Sequence, residues 1–78
     1  MTTLDEKLKH ARAARARLRE AEGLVIANAL SLRDLTRNKS TPRAMLLALR
    51  ESLFKSCDAF EVEHAAFEKA FGEVGKDA

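Results

Sequence analysis

The chain has 78 residues, a mass of 8.7 kDa and a net charge of +2, which bounds it to one domain. A compact globule of this size would bury roughly 60% of its unfolded surface, and an elongated one less. The longest uncharged stretch, Gly23 to Leu32, is about half of what a bilayer span requires, and Met1 to His10 carries no apolar signal core. The lone Cys57 excludes an internal disulfide and suits a reducing compartment, so a soluble cytoplasmic protein is expected.

Thr3-Leu4-Asp5-Glu6 has the form of a capping box and predicts a helix starting at Leu4. From there strong helix formers run without proline to Arg37, and Leu4, Ala11, Leu18, Val25 and Leu32 return to one face every seven residues. Gly23 is the weak point and a break there is the alternative, but the seven-residue row passes through it in phase. A glycine at this place would also let another backbone approach closely. Helix one is therefore expected over about 4–37.

Asn38 to Thr41 is polar, with Pro42 behind it, so it ends one helix and starts the next. Helix two is expected over about 42–71, with Ser40 or Thr41 as its cap and Pro42 as its first residue. Its predicted stripe is Leu46, Leu49, Leu53, Cys57, Phe60, His64, Phe67 and Phe71. Gly72 is the expected stop and 72–78 the expected frayed tail.

The fold class that follows is all-α: an antiparallel hairpin of two long helices around a loop at 38–41. Folding about that loop sets Ala11 opposite Phe67, Leu18 opposite Phe60, and Val25 opposite Phe54 or Leu53. Large side chains then meet Ala11, Ala14 and Ala21, the interdigitation that close packing needs. Residues 1–43 hold ten Lys and Arg against five Asp and Glu, and 44–78 hold four against seven, which also favours pairing of the halves.

Near the loop the apolar residues spread around both helices, through Leu24, Ile26 and Leu30 on the first and Met45, Leu47 and Phe54 on the second. A helix apolar nearly all round must be covered on more than one side. The sequence therefore points to a homodimer forming a four-helix, coiled-coil-like bundle, or to a protein partner covering the same surface. Leu24, Ile26, Leu30, Leu47 and Phe54 are the expected interface, and Arg12, Arg15 and Arg19 the residues that steer an acidic partner.

Other constellations carry less chemistry. Arg37, Lys39 and Arg43, with Arg33, gather at the turn, where an anion could meet the start of helix two. Glu61-x-x-His64 has the spacing of a carboxylate-bundle metal ligand pair, but Glu61 falls beside the expected seam and His64 reads as a seam histidine. Ser52, Ser56 and Cys57 have no base and orienting group near them, and His10 stands on the polar face. No catalytic residue, metal or other cofactor is expected.

The function expected is that of a non-enzymatic interaction module: an adaptor, inhibitor or chaperone-like subunit, of the kind found among small bacterial or phage regulators. The alternative is a dimeric bundle that contacts RNA or DNA phosphates through its basic first helix. A dimer of hairpins is similar in layout to the Rop family of small plasmid RNA-binding proteins. The likeness is one of layout, with no Rop motif present residue for residue.

Overall fold

A computed structural model describes residues 2–76, and all regular structure among them is helical: α1, Leu4–Arg37, and α2, Arg43–Gly75, folded into an antiparallel hairpin. The hairpin is a rod of 58 × 14 × 13 Å, whose long dimension follows from a 34-residue helix at about 1.5 Å per residue. Thr3 caps α1 from extended backbone, its Oγ1 accepting from the Glu6 N–H at 3.2 Å. That bond satisfies one of the four amides a helix start leaves without partners. The helix runs unbroken through Gly23.

At the turn, Asn38 Oδ1 accepts from the Ser40 N–H at 3.0 Å, and the Asn38 carbonyl accepts from the Thr41 N–H at 3.1 Å. An asparagine closing its own turn in this way is the reason the residue type favours such positions. Pro42 is the cap of α2 and not its first helical residue. Its backbone is extended, at φ −61° and ψ 140°, and its carbonyl accepts from Met45 and Leu46, so the helix begins at Arg43 with no side-chain cap. The far end also differs from expectation. Gly72 keeps a negative φ and α2 continues to Gly75, because nothing at Gly72 turns the chain into the left-handed conformation that stops a helix. Asp77 and Ala78, the end of the expected tail, lie outside the described residues.

Contact between the helices is confined to one seam with a regular three- and four-residue alternation. From α1 it takes Ala11, Ala14, Leu18, Ala21, Val25, Asn28, Leu32 and Leu35; from α2 it takes Leu46, Leu49, Leu53, Ser56, Phe60, Glu63, Phe67, Ala70 and Val74. The expected stripe on α2 is corrected past Leu53. Two four-residue steps in succession, Leu49 to Leu53 and Leu53 to Cys57, would rotate the row off the partner, whereas the observed alternation keeps it facing α1.

Ser56 therefore stands in the seam in place of Cys57, Glu63 in place of His64, and Ala70 in place of Phe71. The Ser56 hydroxyl is buried at low cost because it donates to the Leu53 carbonyl of its own helix at 2.7 Å. Two contacts fix the register: Arg17 Nε donates to Glu63 Oε2 at 3.2 Å, and Asn28 Nδ2 reaches the Ser52 carbonyl at 3.5 Å. Ala11 and Phe67 line the same groove, which is the large-against-small pairing read from the sequence.

Candidate interaction surface

Only small residues are fully enclosed by this arrangement. Ala11, Ala14 and Ala21 form the buried apolar core, with Ser56 the buried polar residue, and no large side chain is completely covered. The apolar surface of larger residues lies outside the seam. Leu24, Ile26, Leu30, Met45, Leu47, Phe54, Val62 and Phe71 are each between 44% and 67% exposed.

The helical repeat sorts these residues by direction. Positions one and four residues after the Leu4-Ala11-Leu18-Val25 row, and after the Leu46-Leu53-Phe60-Phe67 row, project to one flank of the hairpin. A groove of about 430 Å³ lined by Leu8, Arg12, Arg15, Phe67, Phe71 and Val74 puts both sets on the same side. Ile26, Leu47 and Phe54 belong to this flank, at its turn-proximal end. Arg12, Arg15 and Arg19 belong to it as well, along α1, and Glu61, His64 and Glu68 along α2.

Leu24 projects to the opposite flank, where Lys7 and His10 share a second groove with Ala66, Lys69 and Glu73. Leu30 lies on the outer back of α1. The five apolar residues singled out in the sequence are thus all exposed, and three of them share a surface.

The electrostatics of the flank are those of unanswered charge. Among the described residues one ion pair crosses between the helices, Arg17 to Glu63 at 3.2 Å, and it lies on the other side. Arg12, Arg15, Arg19 and Glu61 make none. Glu68 meets His64 of its own helix at 3.6 Å, and the Arg50 guanidinium sits 5.2 Å from the centre of the Phe54 ring.

His64 is half exposed, which corrects its expected place in the seam: its ring stacks along the helix on Phe60 at 5.8 Å and its edge faces water. At the turn, Arg33 pairs with Asp34 at 3.1 Å, while Arg37, Lys39 and Arg43 are exposed around the tip.

Cys57 is half-buried beside the seam, and no group of three His, Cys, Asp or Glu side chains able to hold a metal ion occurs among the described residues. No helix among them is long and apolar enough to cross a membrane. Leu8, half-buried at the edge of the groove, was not singled out in the sequence, and Phe71, expected in the seam, lies exposed on the flank. The signal was present, since both stand four residues after members of the apolar rows.

No protein-family model, curated protein or solved structure matches the chain.

Proposed function

We propose that the protein is a non-enzymatic interaction module, an adaptor, inhibitor or chaperone-like subunit that works by docking its exposed apolar flank on a protein surface. The observation that carries this reading is an area. A compact chain of 8.7 kDa exposes about 4,700 Å², whereas the hairpin exposes 6143 Å². The excess, about 1,400 Å² on one chain, is the scale that one side of a permanent protein interface covers.

Part of that excess is large apolar side chain, at Ile26, Leu47 and Phe54. At about 25 cal/mol per Å², its removal from water is the strongest driving force the surface offers. The unpaired Arg12, Arg15 and Arg19 would set orientation and encounter rate.

The test compares wild type with Ile26→Glu/Phe54→Glu by sedimentation, for the purified chain alone and in cell extract, with helicity followed by circular dichroism. Wild type should sediment above its monomer mass in at least one setting, and the folded double variant as a monomer in both. A folded wild-type monomer in both settings overturns the reading.

The unpaired arginines also favour a second reading, phosphate binding to RNA or DNA. That reading predicts a gel shift whose affinity falls steeply with salt, and docking through apolar area predicts weak salt dependence.

A further inference from the structure

The charged and apolar residues of the Ile26/Phe54 flank are ordered along its length, and the order identifies what covers it. Viewed from the turn towards the open end, the register fixed by Arg17–Glu63 brings residues of α1 and α2 to common levels. Ile26 is level with Phe54, Arg19 with Glu61, Arg12 with Glu68, and Leu8 with Phe71. Within one hairpin the Arg12, Arg19, Glu61 and Glu68 side chains diverge from the seam, and neither level-matched pair forms an ion pair. Each residue nonetheless has a chemical complement at its own height, on the other helix.

We infer that the flank is covered by a second copy of this chain, related by a two-fold axis parallel to the rod, so that both turns lie at the same end. This deepens the docking reading above and rests on it. A rotation about that axis lays α1 of each copy over α2 of the other without changing the height of any residue. Arg12 then meets Glu68 of the second copy, Arg19 meets Glu61, Ile26 meets Phe54 and Leu8 meets Phe71. The self-complementarity that a two-fold interface requires is satisfied at these four levels, while nearer the turn Leu47 comes level with Arg33.

The other face-to-face arrangement has its axis across the rod and lays α1 over α1. Centred on the rod, it puts Arg15 near Ile26, Leu8 near Arg33 and Arg12 near Ala29, so along α1 charge meets apolar surface, although along α2 Leu47 and Arg50 then match Phe71 and Glu68. The area agrees too: covering the excess of about 1,400 Å² on each copy gives about 2,800 Å² in all, within the range of obligate homodimers. Bringing both basic turns to one end opposes this, but Arg37, Lys39 and Arg43 are exposed, and salt screens such groups beyond about 8 to 10 Å.

Charge exchange tests both the occupant and its orientation. The half-reversed chain Arg12→Glu/Arg19→Glu should remain helical and dimerise about tenfold or more weakly than wild type. Adding Glu61→Arg/Glu68→Arg should restore wild-type affinity. When wild type and a uniformly 15N-labelled preparation of this fully exchanged chain are mixed, native mass spectrometry, which tells the two apart by the label because their compositions are identical, should find them sorting into separate homodimers.

Preferential mixing of the two would place α1 over α1 and overturn the inference. So would a half-reversed chain that dimerises as tightly as wild type. A second measurement is independent of these charges: spin labels on Lys39→Cys in a Cys57→Ala background should lie within about 30 Å of each other, against about 50 Å or more for turns at opposite ends. A wild-type chain that is monomeric alone yet complexed in extract would remove the second copy and leave the docking reading standing. A monomer in both settings removes both.

Discussion

Gly23 lies mid-helix on the outer side of α1, with no atom within 4 Å of the place a Cβ would occupy. Its backbone is ordinary right-handed helix, so alanine there meets no strain and loses the unfolded-state freedom of glycine. Gly23→Ala should raise the unfolding free energy by about 1 kcal/mol, read from denaturant midpoints at unchanged slope. A loss of stability would mean that another backbone packs on Gly23 in solution, as its position in the sequence first suggested.

Ala14 is the opposite case. At 1% exposure it is the most enclosed side chain among the buried residues, and it sets how near the two helices come. Ala14→Leu should cost about 1 to 3 kcal/mol in the same measurement, because the added atoms must push α1 from α2.

For the elements, the sequence revealed most where one spacing had one interpretation. The row through Leu4, Ala11, Leu18, Val25 and Leu32 specified α1, its continuity and its seam, and the polar turn with Pro42 specified the reversal. Helix α2 was harder because apolar residues occur on two adjacent rows, Leu53-Phe60-Phe67 and Cys57-His64-Phe71. Hydropathy favours a stripe that takes from both.

Packing chose differently, since α1 offers alanines and an asparagine along half of its seam and the facing positions fill with Ser56, Glu63 and Ala70. The larger Cys57, His64 and Phe71 were displaced to the flank. That shift of one residue position separates the two-helix seam from the flank beside it. The candidate site was legible as a list of exposed apolar residues, but not as a direction. Which of Leu24, Ile26, Leu30, Leu47 and Phe54 share a side depends on the register between the helices.

At the scale of the whole molecule, the hairpin buries about half of the roughly 12,600 Å² its unfolded chain would expose, below the roughly 60% of a compact chain of this size. Under the proposed association a second molecule supplies the missing burial, and mass action makes that contribution measurable. The thermal midpoint of the purified chain should rise with protein concentration, since association draws the equilibrium towards the folded form. Scanning calorimetry over a hundredfold range of concentration checks this. A midpoint that stays constant would belong to a hairpin that is stable on its own, and the missing burial would need no second molecule.

The reversal at Asn38 to Thr41 also brings the two extremities of the described chain to one tip, where Thr2 and Glu73 border the same groove. Anything joined to either extremity leaves the rod in the same direction. With two rods aligned turn to turn, four such attachments would emerge together, and the assembly would act as a clasp that holds its cargoes side by side, with the basic tips pointing away from them.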